Sequence, residues 1–154
     1  VADAGADIIY IWEGVPGTSD NPVYSLPNLT NLGRIDMNDT HLAIGCYPGG
    51  SSFKVLELST LSSPSYQTVP GKDCPSEVSF NDKGFFIPDN DNIIGWNSVA
   101  DALAGSSPTM SFGGRTDKSN MGTKMAAGIG WDGYHFWVGE YKFSNRLLGF
   151  APSK

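Results

Sequence analysis

The feature that most constrains this chain is an internal repeat. In three segments an apolar strand is followed by a turn that contains Asn or Asp and then by a second apolar strand. The segments are Ile35–Cys46, Val78–Asp89 and Ile129–Glu140, and their last residues stand 43 and 51 positions apart. Asn-Asp and Asp-Gly tolerate the positive φ angles of a tight hairpin. Each segment is therefore predicted to be a β-hairpin.

Two further strands complete each repeat. Third strands are predicted at Lys54–Leu58, Asn92–Trp96 and Arg146–Phe150, and fourth strands at Ser65–Val69 and Met110–Phe112. Only Ser98–Ala104 is expected to form a helical turn. Four antiparallel strands that recur every 40 to 50 residues or so are typical of the blades of a β-propeller. The sequence therefore predicts an all-β fold built from four-stranded antiparallel blades.

Composition supports this fold class and excludes several functions. Charged residues make up 17% of the 154 residues, against about 25% in an average domain, which excludes a helix bundle or coiled coil. The net charge of −6 repels phosphate backbones, so a nucleic-acid partner is not expected. No apolar run has the length of a membrane span, and none is predicted.

The repeat also predicts how the chain is divided. A partial blade over residues 1–31 is followed by blades over 32–71 and 72–114 and by a last blade over 115–154 that lacks its outer strand. That gives about three and a half blades. A blade opened within a strand leaves unpaired backbone groups. We therefore expect the C-terminal portion of a longer polypeptide whose upstream blades complete a ring of six; closure by a second chain fits less well, because the ends are not complementary.

Several segments resemble NHL-repeat β-propellers of the bacterial extracytoplasmic type. Val1–Trp12 looks like the second and third strands of that repeat, and Val138–Glu140 with Ser144–Leu148 looks like another copy. Trp12–Pro16 and Trp96–Val99 resemble the Trp-Asn-Ser-x-Pro extension after the third strand. The blade around Cys46 departs most from the pattern. The resemblance implies an extracytoplasmic or secreted propeller that binds through its loops and its central funnel.

Three functions follow as expectations. The first is a rigid interaction or ligand-binding module for a protein or carbohydrate, without catalytic residues. Because the family includes metal-dependent lyases and lactonases, the second is a funnel-site enzyme with a divalent metal. The inner strands near Ile35, Val78 and Ile129 would line the channel, but Asp36, Ser79 and Gly130 are a poor ligand set, and no metal ligands are predicted. The third is a structural subunit of an extracellular assembly.

The long loop before the last repeat carries the predicted binding residues. It contains Arg115, Lys118 and Lys124, and the aromatic residues Trp131, Tyr134 and Trp137 follow it. Arginine recognises carboxylates, and aromatic faces stack on sugars. An anionic or sugar ligand is one interpretation, and aromatic side chains packed between blades are the other.

Four smaller features leave alternatives open. Cys46 and Cys74 form either a disulfide or two buried thiols. The equivalent strand ends at Asp3, Asp89 and Glu140 form either a ring of carboxylates or ordinary turn caps. His41 and His135 are expected to be structural.

The last of these features is the oxygen-rich segment Asp89–Asn92. It is read as a turn, with a structural Ca²⁺ as the alternative, because it lacks the spacing of a calcium loop. No other cofactor is expected.

Overall fold

The computed structural model describes residues 1–27, 29–46, 53–72, 75, 77–89, 92–113, 126–140 and 147–150. In these residues the chain forms fourteen strands, one short α-helix and one 3₁₀ turn. The strands are β1 (Ala2–Asp3), β2 (Ile8–Ile11), β3 (Tyr24–Leu26), β4 (Leu32–Met37), β5 (His41–Cys46), β6 (Lys54–Glu57), β7 (Tyr66–Thr68), β8 (Ser79–Asn81), β9 (Gly84–Asp89), β10 (Asn92–Trp96), β11 (Met110–Gly113), β12 (Ala126–Trp131), β13 (Phe136–Glu140) and β14 (Leu147–Phe150). The helix α1 spans Val99–Leu103, and the 3₁₀ turn spans Leu58–Thr60.

The strands form four antiparallel sheets in which chain neighbours pair. The first sheet contains β1 to β3, the second β4 to β7, the third β8 to β11 and the fourth β12 to β14. The two complete sheets in the middle have four strands each, as the repeat predicts. The predicted all-β fold with four-stranded antiparallel sheets is therefore confirmed, and the sheets are compatible with blades of a propeller.

The first strands of successive sheets lie side by side. Strand β1 contacts β4, β4 contacts β8, and β8 contacts β12. A separate apolar core lies between each pair of neighbouring sheets. The sheets are thus stacked face to face in chain order, with their first strands along one side of the stack.

Strand β5 shows why the apolar runs are continuous rather than alternating. Leu42 and Ile44 pack against the first sheet, whereas Ala43 packs against the third. The third sheet repeats this arrangement, because Phe85 faces the second sheet and Phe86 faces the fourth. A sheet that is covered on both faces needs apolar residues at successive positions.

Aspartate side chains connect each pair of neighbouring sheets. The Asp7 carboxylate accepts a hydrogen bond from the Leu32 N–H at 3.0 Å, and that of Asp36 accepts one from the Phe80 N–H at 2.7 Å. At the third junction the Trp131 indole N–H donates to Asp82 at 3.1 Å. These hydrogen bonds fix how each sheet is aligned with its neighbour. The apolar cores alone specify this alignment less strictly.

One local prediction is corrected, and another is confirmed. The strand expected at Lys54–Leu58 ends at Glu57, and Leu58 begins a 3₁₀ turn that the sequence reading missed. The Thr60 hydroxyl donates to the Glu57 carbonyl at 2.8 Å, a local side-chain to backbone bond that is typical of threonine in turns. The helical turn predicted at Ser98–Ala104 is confirmed as α1, with Ser98 as its N-cap. None of the helices in the described ranges is long and apolar enough to span a membrane.

Candidate binding site

The hairpin between β12 and β13 is held in shape by one carboxylate. Asp132 accepts hydrogen bonds from the backbone N–H groups of Tyr134 and His135, each at 2.7 Å, and from the Trp137 indole N–H, also at 2.7 Å. The indole bond is the largest cause that lowers the pKa of Asp132 below its usual range, followed by the two backbone bonds. A carboxylate with these donors stays ionised and orients the hairpin.

The other hairpins use the same turn position. Asn38 accepts from the backbone N–H groups of Thr40 and His41 at 2.9 and 2.8 Å, and Asn81 accepts from that of Lys83 at 2.8 Å. Asn38, Asn81 and Asp132 are equivalent in the repeat. Only in the last of these turns does the side chain also receive an indole N–H, and the difference lies in Trp137.

Trp137 lies flat on the outward face of the fourth sheet. A Cβ at Gly149, which pairs with Trp137 across β13 and β14, would come within 3.1 Å of the indole ring. The preceding sheet has the same arrangement, since Gly95 pairs with Phe86 and lies under its ring. A strand glycine under an aromatic ring is thus a repeated device of this fold.

Trp137 and Leu147 are more exposed than the residues at the equivalent positions of the second and third sheets. Trp137 is equivalent to Ala43 and Phe86, and both of these are 0% exposed, whereas Trp137 is 38% exposed. Leu147 is equivalent to Phe53 and Ile93, which are each 1% exposed, whereas Leu147 is 66% exposed.

Because Leu147 shares a face with Gly149, it lies on the same side of the sheet as Trp137. The His135 ring lies beside Trp137, with ring centroids 5.9 Å apart. We call His135, Trp137 and Leu147 the outward patch.

The other predicted aromatic residues separate from one another. Trp131 packs between the third and fourth sheets, where its ring lies 4.7 Å from that of Phe136. Tyr134 is 77% exposed at the hairpin, next to the outward patch in the chain. Of the three predicted aromatic ligand contacts, Tyr134 and Trp137 therefore remain on the surface.

The cationic part of the predicted site, Arg115, Lys118 and Lys124, lies outside the described residues. The strand β12, which follows this loop, determines how far the predicted aromatic residues lie from it. Ala126 begins β12 and Trp131 ends it, so these two residues are about 16 Å apart at the rise of an extended strand. The predicted aromatic residues therefore lie at or beyond the end of β12 that is farther from the loop.

An ion pair near the start of the inner strands was missed by the sequence reading. Arg34 of β4 meets Glu77, with its Nε atom 3.3 Å from the Glu77 Oε1 atom. The Glu77 side chain is 7% exposed, and burial raises its pKa to about 7, although the charge of Arg34 acts in the opposite direction. The two residues stand 43 positions apart, and no local pattern marks them as partners.

The inner-strand residues considered for a metal have structural roles. Asp36 accepts from the backbone N–H groups of Met37 and Phe80. Ser79 is 5% exposed. Gly130 pairs with Trp137. In the described part of the chain, no group of three His, Cys, Asp or Glu side chains is arranged to hold a metal ion.

The histidines belong to hairpins rather than to the inner strands. The Nδ1 atom of His41 lies 2.8 Å from the Thr40 hydroxyl. That of His135 lies 3.4 Å from Asp132.

The carboxylate ring predicted at the strand ends is resolved at one member. Asp3 accepts from the backbone N–H groups of Gly5 and Ala6 at 3.0 and 3.1 Å, which is a turn-capping role. The side chains of Asp89 and Glu140 lie outside the described part, as do Asn90 and Asp91 of the calcium alternative. The ring and the Ca²⁺ site stay predictions.

Cys46 is disulfide-bonded. Its backbone N–H donates to the Pro75 carbonyl at 3.0 Å, which brings the end of β5 against the residue that follows Cys74 in the chain. Cys74 itself lies outside the described residues, so its pairing with Cys46 stays a prediction.

No protein-family model matches the chain, and no curated protein matches it significantly.

Proposed function

We propose that the chain is a rigid, non-catalytic binding module of the β-propeller type, similar to NHL repeats, that binds a protein or carbohydrate through its outward patch. The exposure of Trp137 and Leu147 carries this proposal, because the equivalent residues of the preceding two sheets are fully buried by their neighbours. Contiguous apolar side chains on a surface are typical of interaction sites.

The environment of the patch favours binding with little rearrangement. Trp137 is fixed on two sides, by Gly149 below its ring and by Asp132 at its indole N–H. A side chain that is already ordered loses little conformational freedom when a ligand covers it. Tyr134 extends the aromatic surface at the hairpin. A protein sheet or the apolar face of a sugar could contact these side chains.

An extracytoplasmic location is part of the proposal. The disulfide at Cys46 supports it, because stable disulfides are typical of oxidising compartments. A further part, in line with the repeat, is that upstream blades of the same polypeptide or a second chain complete a ring; the blade that closes the ring is then the protein that covers the outward patch.

A funnel-site enzyme is a second candidate, and Glu77 is the observation that favours it. An acid with a pKa near 7 beside an arginine can exchange a proton at neutral pH. Its contact with Arg34 also joins neighbouring sheets, and this structural role explains the ion pair without any catalytic role. Glu77→Gln should therefore leave ligand binding at the outward patch unchanged, whereas loss of a lactonase or lyase turnover in this variant would support the enzyme.

The test of the binding proposal follows tryptophan emission in two titrations. One dilutes the chain itself and so probes protein contacts; the other adds soluble oligosaccharides of glucose, N-acetylglucosamine and galacturonate. We expect a change in at least one titration, and we expect Leu147→Arg to abolish it. Met37→Arg is the matched control, because Met37 is 60% exposed and lies in the second sheet, outside the patch. Emission that responds in neither titration would contradict the proposal.

A further inference from the structure

The three internal interfaces between sheets follow one rule of contact. A side chain that points toward the later sheet meets one that points back toward the earlier sheet. Phe53 of the second sheet stacks on Phe85 of the third, with ring centroids 5.5 Å apart. Phe86 of the third sheet meets Phe136 of the fourth at 4.5 Å. The outward patch holds the forward-pointing residues of the fourth sheet.

The first sheet carries the complementary residues on its opposite face. By strand register, Tyr10 and Trp12 are equivalent to Ile94 and Trp96 of the third sheet, which point back toward the second sheet and are 8% and 1% exposed. The match extends to a hydrogen bond. The Trp12 indole N–H donates to the Asp20 carbonyl at 3.1 Å, as the Trp96 indole N–H does to the Ser106 carbonyl at 2.8 Å.

This opposite face is incompletely covered. Tyr10 and Trp12 are both partly exposed, and their rings lie 6.0 Å apart. One end of the stack thus presents forward-pointing apolar residues, and the other end presents backward-pointing ones. Together they have the chemistry of the interfaces already formed inside the chain.

We propose that two copies of this chain associate head to tail, so that Trp137 and Leu147 of each copy pack on Tyr10 and Trp12 of the other. The proposal rests on the proposed function, because it names the partner of the same patch. A head-to-tail contact closes into a ring when a two-fold axis relates the two copies, which creates two such interfaces and covers both faces of both copies.

Each copy contributes at least the four sheets of its described part to such a ring. Although the strands at the two ends do not complement each other in number, the faces of these sheets complement each other in direction and in apolar character.

The test is the molar mass of the full chain in solution, measured by light scattering after size-exclusion chromatography. We expect a dimer of twice the 16.5 kDa chain mass. Leu147→Arg and Tyr10→Arg should each give monomers, because a cation at either position would be buried without a partner. Met37→Arg, at an exposed position of the second sheet, should remain dimeric. Near-ultraviolet circular dichroism establishes that each variant is folded, and Leu147, at 66% exposed, is replaceable without loss of the chain's own core.

Mixing the two monomeric variants gives a sharper result. In a head-to-tail pair, one of the two interfaces then combines two unmodified faces, so we expect partial recovery of a dimer. A wild-type monomer would overturn the proposal, as would a dimer that persists in Leu147→Arg or an open polymer that grows with concentration. A monomer whose emission still responds to an oligosaccharide, and loses that response in Leu147→Arg, would overturn the second copy but retain the proposed function.

Discussion

Trp137 occupies the position of Phe86 in the repeat, and each ring lies over the glycine that pairs with it on the next strand. Phe86 is 0% exposed because the fourth sheet covers it, whereas Trp137 is 38% exposed. The same pairing of an aromatic ring with a strand glycine is therefore part of an internal core at Phe86 and part of the surface at Trp137. The functional proposal depends on this difference.

The glycine under the aromatic ring can be tested in the third sheet. In Gly95→Ala the new Cβ would lie 2.3 Å from the Phe86 ring, so the ring must move within a closely packed core. We expect a loss of about 1 to 3 kcal/mol in the free energy of unfolding, measured by urea denaturation. Gly130→Ala is the matched control, since a Cβ there meets nothing within 4 Å. Equal stability of the two variants would contradict the described packing.

Glu77 predicts an unusual pH dependence of stability. Burial raises its folded-state pKa from 4.5 to about 7, so between these values the folded state binds more protons than the unfolded state. The contribution of Glu77 to stability is therefore fully present below about pH 4.5 and is lost as the pH rises to about 7, by at most about 3 kcal/mol.

The measurement for Glu77 is urea denaturation at several pH values between 4 and 8. We expect Glu77→Gln to flatten the dependence in this window, because glutamine does not titrate. Glu57→Gln, at an exposed carboxylate of β6, serves as the control and should keep the wild-type dependence. A wild-type profile that is already flat across the window would show that Glu77 has an ordinary pKa.

Asp132 predicts the opposite dependence at lower pH. Its hydrogen bonds depress its folded-state pKa, so its contribution is present above the unfolded value of about 3.8 and is lost as the pH falls below it. Asp132→Ala should remove this contribution and loosen the hairpin. The indole N–H resonance of Trp137 in NMR spectra reports the change directly, because this group donates to Asp132.

A comparison variant makes the Asp132 experiment specific. Asp39→Ala removes an exposed carboxylate from the hairpin of the second sheet, so we expect the Trp137 indole resonance to stay in place. If Asp132→Ala also left that resonance unchanged, the hydrogen bond between Asp132 and Trp137 would not exist in solution.

The predicted disulfide can be measured by peptide mapping without reduction. We expect one linked peptide pair that contains Cys46 and Cys74, and a loss of about 3 to 4 kcal/mol in the free energy of unfolding on reduction, on the chain-entropy model for a loop of this length. Linkage of Cys46 to a cysteine of another chain would instead give a covalent dimer on a non-reducing gel, which contradicts the predicted pairing.

The repeat predicted most of the fold because the same local sequence pattern recurs in three segments of the chain. Each hairpin has Asn or Asp at one fixed position, and that position is used in the same way in the structure. The 3₁₀ turn at Leu58 was missed because Leu58 continues the apolar run of β6, so the apolar pattern does not mark the end of the strand.

The candidate site was only partly predictable from sequence. The sequence allows Trp131 and Trp137 either to contact a ligand or to pack between blades; in the structure Trp131 lies between sheets and Trp137 lies on an outward face. The two side chains point to opposite faces of the fourth sheet. Which of them is buried depends on which face a neighbouring sheet covers. Arg34 and Glu77 meet only because the second and third sheets are stacked, and a contact across sheets leaves no trace in local spacing.

Oxidative footprinting of the tryptophan side chains at low and high chain concentration, read by mass spectrometry, measures directly whether the outward patch becomes covered. Trp96, at 1% exposed, is the internal reference and should stay protected throughout. We expect Trp137 to be oxidised in the dilute chain and to become protected on concentration or on addition of a bound ligand, with Leu147→Arg removing that protection. Equal oxidation of Trp137 under all these conditions would contradict a binding role for the outward patch.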